Sequence, residues 1–154
     1  MMSTPNHFDP KRLLALRSDT VHSKKRLFEQ AAESISAEFD LDQESVYRSL
    51  LAREKLGSTA IGNGVAIPHS RMSGCSKPLG CLIILSEGVD FGAPDGGDVE
   101  IAFILLVPEA ATQDHLDLLA SLAGAFSSAD IRNRLRKAHT AGDARLILLE
   151  GLGL

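Results

Sequence analysis

Apolar residues recur along this chain with two periods, and the switches between them divide it into elements. Over residues 24–39, Phe28, Ala31, Ala32, Ile35 and Phe39 return every three or four positions with charged residues opposite, which predicts an amphipathic helix. Asp42 is a good N-cap, so a second helix starts there, buries Val46 and Leu50 and carries Arg53 on its final turn. Two continuous apolar runs, 79–85 and 100–107, read as strands covered on both faces. Thr112 opens a further helix whose packed stripe is Leu116, Leu119, Ala120, Ala123 and Phe126, with His115 in its first turn, near the positive end. Ser127 or Ser128 caps the next helix through Ile131 and Leu135. Thr140 with Asp143 makes a capping-box-like start for a last one through Leu146 and Leu149. Ahead of all these, residues 1–10 read as a loose polar leader to Leu13, Leu14 and Leu16, and a short strand is expected around 20–22.

Glycine marks two places where this pattern breaks. Gly88, Gly92, Gly96 and Gly97, with Pro94, make a turn-rich connection that includes a short edge strand near 89–91; its Asp95, Asp98 and Glu100 read as a solvated loop face. In the other, Ile61, Val65 and Ile67 suit a partly buried strand, while Gly62 and Gly64 leave room for close approach. That strand ends near Ile67, because Pro68 cannot donate to a ladder, and His69 therefore sits at a strand end. Reactive groups of α/β folds stand at such places, and imidazole keeps a neutral, nucleophilic fraction near neutral pH. On these residues alone, His69 is either that reactive group or an ordinary surface histidine.

Composition narrows the picture. The chain has 154 residues, 44% hydrophobic and 23% charged, which fits one globular α/β domain over residues 11–154. Folding at this size buries roughly 68 to 70% of the unfolded surface, so no staple is required. Six Phe and one Tyr leave the core to aliphatic packing. A net charge of −4 offers no broad basic field, which disfavours nucleic acid as a partner. The amino terminus lacks the apolar core of a secretory signal. The longest apolar run, 101–107, is far below the ~20 residues that span a bilayer, so a soluble, cytoplasmic protein without membrane insertion is expected. Cys75 and Cys81 form no Cys-x-x-Cys pair and read as reduced, structural thiols. The glycines from Gly57 to Gly64 are not followed by Lys-Ser or Lys-Thr, and no Gly-x-Ser-x-Gly elbow occurs, so ATP-dependent kinase and serine hydrolase chemistry are disfavoured. Asp114 beside His115 points elsewhere on its helix, so no metal and no cofactor are expected.

The run Arg53-Glu54-Lys55-Leu56-Gly57-Ser58-Thr59, followed by Gly62-Asn63-Gly64-Val65-Ala66-Ile67-Pro68-His69, resembles the active-site segment of mannitol/fructose-type enzyme IIA domains of the bacterial phosphotransferase system. Leu105-Leu106-Val107-Pro108 and the stretch beginning His115-Leu116-Asp117 resemble that family's second signature, and the wording of the first is similar to its nitrogen-regulatory branch. Ser70 stands where many members carry glycine. The resemblance implies a mixed sheet of about five strands with helices on both faces. It also implies a phosphoryl group accepted on His69, as a tele-phosphohistidine, from the carrier HPr or its nitrogen-branch counterpart. Arg53 and His115 are then the two side chains expected beside it, with Ser58 and Thr59 as further phosphoryl-binding donors. For the nitrogen-regulatory branch the resemblance implies control of nitrogen metabolism and of potassium-transport regulators; the alternative is a free-standing sugar-type enzyme IIA that passes phosphate to an enzyme IIB.

Overall fold

The computed structural model describes residues 8–110 and 113–154, and in it one sheet lies between two layers of helices. In chain order the elements are β1 (Leu13–Ser18), α1 (Lys24–Glu38), α2 (Gln43–Lys55), β2 (Ala60–Gly62), β3 (Val65–Ala66), β4 (His69–Met72), β5 (Leu79–Val89), β6 (Val99–Pro108), α3 (Gln113–Phe126), α4 (Ala129–Lys137) and α5 (Ala141–Gly151). The sheet has six strands in the order β1-β5-β6-β3-β2, and β4 also pairs with β6. It is mixed: β5 and β2 run antiparallel to their neighbours β6 and β3, while β1 is parallel to β5 and both β3 and β4 are parallel to β6.

The two long apolar strands read as continuous because each feeds two cores. Cys81, Ile83 and Leu85 with Ala102, Ile104 and Leu106 point to the side covered by α1 and α2. Leu82 and Ile84 with Ile101, Phe103, Leu105 and Val107 point to the side covered by α3, α4 and α5. Helix starts follow the polar signals. Ser23, Asp42, Ser128 and Thr140 each cap a helix by accepting a backbone N–H three residues on. Ser128, not Ser127, is the cap of α4, since the Ser127 hydroxyl donates to Gly124 O and closes α3 instead. Burial pushes the Cys81 thiol up to about 12 and raises that of Cys75 as well, so both are poor nucleophiles.

Four local expectations differ from the structure. The strand placed at 20–22 lies earlier, as β1, because the Ser18 hydroxyl accepts the N–H groups of Thr20 and Val21 and turns the chain out of the sheet. No separate edge strand forms at 89–91; Val89 ends β5 opposite Val99, and the Asp90 carboxylate binds the Gly92 N–H. The glycine-rich strand is a hairpin, with Asn63 and Gly64 at φ 58° and 77° in the two-residue turn that such a positive-φ pair favours. The buried stripe of α3 is Leu118, Leu122, Ala125 and Phe126; of the expected one, Phe126 is buried and Leu119 and Ala123 pack partly buried against the same core, so the face is turned slightly from the expected one. Leu116 and Ala120 are exposed, and Leu116 borders an open cleft. The Thr112 cap and residues 1–7 of the leader lie outside the described residues. Of the remaining leader, Phe8 is buried with its ring edge-on to Phe103, 6.3 Å between centroids.

That aromatic cluster constrains β5. A Cβ on Gly80 would meet Phe103 at 2.3 Å and Phe8 at 3.1 Å, both ring atoms within the α3–α5 core. Overpacking of this kind costs about 1–3 kcal/mol. Gly80→Ala is therefore expected to lower the free energy of unfolding by that amount in urea titration, with an unchanged slope.

Candidate functional site

His69 enters the sheet as the first residue of β4, paired with Leu105, so it stands at a strand end as expected, but at the start of a strand that follows Pro68. Its Nδ1 lies 2.7 Å from the carbonyl oxygen of Ile67. A carbonyl can only accept, so Nδ1 carries the proton and the neutral ring keeps its lone pair on Nε2. The Ile67 carbonyl thus selects which nitrogen is nucleophilic.

Around His69 lies an open cleft of about 690 Å³, walled by α2, β4, the end of β6 and the first turns of α3. Arg53 reaches it from the last turn of α2, where its Nη1 donates to Gly57 O at 2.9 Å. His115 reaches it from the first turn of α3, and its Nδ1 is buried with no hydrogen-bond partner among the described residues. Placing that ring's proton on Nε2 avoids a buried, unpaired N–H. The structure therefore brings His69, Arg53 and His115 into one cavity. Among the described residues that line it there is no carboxylate, and Arg71 adds a second guanidinium. Such a cavity favours an anion.

Ser58 and Thr59 line a smaller depression of about 270 Å³ beside it, together with Arg53 and His69. Both hydroxyls already donate elsewhere, Ser58 Oγ to Phe91 O at 2.6 Å and Thr59 Oγ1 to Glu54 Oε1 at 2.7 Å. Ser70 sits within β4, and its hydroxyl is hydrogen-bonded to that of Ser49 on α2, so it ties the helix of Arg53 to the strand of His69. Sequence reasoning missed Arg71. On a strand, residues two apart share a face, so a strand beginning at His69 places Arg71 beside it; the signal was legible only once that strand was recognised. Among the described residues no three His, Cys, Asp or Glu side chains group to hold a metal ion.

The acidic loop, read from sequence as solvated, holds the hairpin in place. Asp95 accepts the N–H groups of Gly97 and Asn63, both at 3.0 Å. Glu100 accepts from Arg136 Nε at 3.0 Å, and the same guanidinium donates to Asn63 O at 2.7 Å. The tip that precedes His69 is thus gripped from both sides.

This is an α/β domain that presents one tautomerically fixed histidine in a cationic cleft. The comparisons with known proteins give the same class a family. Residues 10–151 match the model of the phosphoenolpyruvate-dependent sugar phosphotransferase system, EIIA 2. The chain is 51% identical over 120 residues to the nitrogen regulatory protein of Pseudomonas aeruginosa, covering 77% of this chain and 78% of that one. The crystal structure of nitrogen regulatory protein IIA-Ntr from Neisseria meningitidis superposes with a TM-score of 0.81 at 46% identity, covering 91% and 94% of the two chains. The enzyme IIA of mannitol from Escherichia coli, solved in complex with phosphorylated enzyme IIB, shares the fold at a TM-score of 0.71 and 20% identity over 95% of this chain and 96% of that one. The protein belongs to the EIIA type 2 family of the phosphotransferase system and resembles its nitrogen-regulatory members. Among the described residues no helix is long and apolar enough to cross a membrane.

The hydrogen bonds from Gly97 and then Asn63 hold the Asp95 carboxyl below the usual carboxylate range. A lowered native value means stability that is present above the unfolded carboxylate's range and lost as pH falls through the lowered one. Asp95→Asn is thus expected to be less stable than the parent at neutral pH, with the gap closing in strong acid; urea midpoints across pH measure it.

Proposed function

We propose that the protein accepts a phosphoryl group on Nε2 of His69 from a phosphohistidine of HPr or its nitrogen-branch counterpart, and that its phosphorylation state decides which regulatory proteins it binds, potassium-transport regulators among them. The observation that carries this reading is the Nδ1–H···O=C bond from His69 to Ile67, set in a cleft whose described lining offers cations and no carboxylate. The Nε2 lone pair attacks phosphorus, the P–N bond to the donor imidazole breaks, and its electron pair returns to the donor nitrogen. Positive charge passes from one ring to the other. In-line alignment and stabilisation of three phosphoryl oxygens are what the protein must supply.

Arg53 can exchange its bond to Gly57 O for a forked contact with two of those oxygens. His115 donates through Nε2–H, and Arg71 adds attraction for the incoming anion. Ser58 and Thr59 assist through the loop they hold, because their hydroxyl protons are committed to Phe91 O and Glu54. Leu56 and Leu116, 84% and 60% exposed, stand on opposite walls of the cleft, so a docking carrier covers apolar surface as it delivers phosphate. The second reading is transfer onward to a sugar-specific enzyme IIB. The mannitol enzyme IIA, solved with its phosphorylated enzyme IIB, favours it through the shared fold.

Incubation with phosphoenolpyruvate, enzyme I and HPr of either branch is expected to add one acid-labile phosphoryl group by mass spectrometry. His69→Ala should take up none, and normal labelling of that variant overturns the assignment. Arg53→Ala and His115→Ala should each slow uptake by roughly tenfold or more while retaining the fold. Phosphate passing from the labelled protein to a purified enzyme IIB would support the sugar-type reading.

A further inference from the structure

An ion pair of a buried carboxylate and a half-buried ammonium lies beside the site and takes no part in the chemistry described so far. Glu54, adjacent to Arg53 on the last turn of α2, has a side chain only 4% exposed, and Lys24 Nζ meets its Oε2 at 2.9 Å. The same carboxylate accepts the Thr59 N–H on Oε2 at 3.2 Å and the Thr59 hydroxyl on Oε1 at 2.7 Å. Lys24 also donates to Phe91 O at 3.2 Å, the carbonyl that accepts the Ser58 hydroxyl, and its Nζ lies 4.9 Å from the centre of the Phe91 ring. Replacing a buried ion pair by apolar residues is often neutral or stabilising, so stability is a poor reason for burying the Glu54 carboxylate.

Its geometry supplies another. Thr59, clamped through its N–H and hydroxyl by Glu54, uses its carbonyl to accept the Ile67 N–H at 3.0 Å. The Ile67 carbonyl in turn accepts His69 Nδ1 at 2.7 Å. The same loop carries Gly57, whose N–H donates to Glu54 O at 3.2 Å and whose carbonyl anchors Arg53. The imidazole and the guanidinium are both suspended from residues 57–59, and Glu54 holds that segment.

We propose that Glu54, braced by Lys24, is a positioning residue whose carboxylate sets the tautomer of His69 through Thr59. This rests on His69 being the phosphoryl acceptor. Its operation is nonetheless readable before any phosphate arrives, because a single Nδ1–H tautomer depends on where Ile67 O is held.

The test is ¹⁵N NMR of the His69 ring in the full, unphosphorylated chain, at a pH where imidazole is neutral. The wild type is expected to show protonated Nδ1 and unprotonated Nε2. The double variant Lys24→Met with Glu54→Leu removes both charges at similar volume. It is expected to fold, to populate both tautomers and to accept phosphate about tenfold more slowly. Thr59→Val, which deletes one hydroxyl, should move the tautomer ratio in the same direction, and it decides the matter if the double variant does not fold. Retention of the single Nδ1–H tautomer in the folded variant overturns the proposal, whatever its rate. Labelling of His69→Ala would sink the acceptor assignment and leave the tautomer result standing.

Discussion

Strand β6 offers one edge to β5 and the other to two short strands in succession, and the gap between those two governs the site. β3 pairs with it through Val65 and Ala66, opposite Ile101 and Ala102; β4 resumes at His69, opposite Leu105. Across the gap, Pro68 has no N–H to give, while its carbonyl accepts from Leu105 N at 2.8 Å and Ile67 turns its N–H back to Thr59. The Thr59 N–H, which would complete that antiparallel pair, goes to Glu54 Oε2 instead, and the Ile67 carbonyl is left free for His69 Nδ1. A Thr59 N–H released from Glu54 would compete for that carbonyl, and the imidazole would lose the backbone acceptor that defines its tautomer.

The gap works because the segments on either side are held independently. Upstream, the Asn63–Gly64 turn is gripped by Asp95 and Arg136, while the loop before β2 is fastened to Glu54. Downstream, the Ser49–Ser70 hydroxyl pair fastens β4 to α2. Each clasp uses polar groups that sequence alone would leave in solvent, and each is local enough to resist the movement of its neighbours. The proposed phosphoryl transfer needs that rigidity, since misplacement by about 1 Å can cost two orders of magnitude in rate.

Charge is distributed to the same end. The chain is acidic overall at −4, yet the described lining of the cleft carries two guanidiniums and two imidazoles and no carboxylate. Asp95 and Glu100 spend their charge on the hairpin, and Glu54 on Lys24 and Thr59. Acidic composition and a cationic cavity coexist because the carboxylates near the site are bound where they build its frame.

The amino-acid sequence by itself determined the helices, the two long strands and the family. Period-3.6 stripes, N-caps such as Asp42 and Thr140, and continuous apolar runs are local signals, and the run ending in Pro68-His69 marked the histidine that the cleft surrounds. Arg53 and His115 followed from resemblance and from their places at the end of one helix and the start of another. Only the tertiary structure decided that the glycine-rich strand is a hairpin, that a new strand begins at His69 and brings Arg71 to its side, and that Glu54 is buried. Those features depend on partners distant in the chain: β6 for the strand restart and Lys24 for the carboxylate. A period counts neighbours along the chain, whereas a ladder register or a buried charge is settled by whatever lies across from it in space.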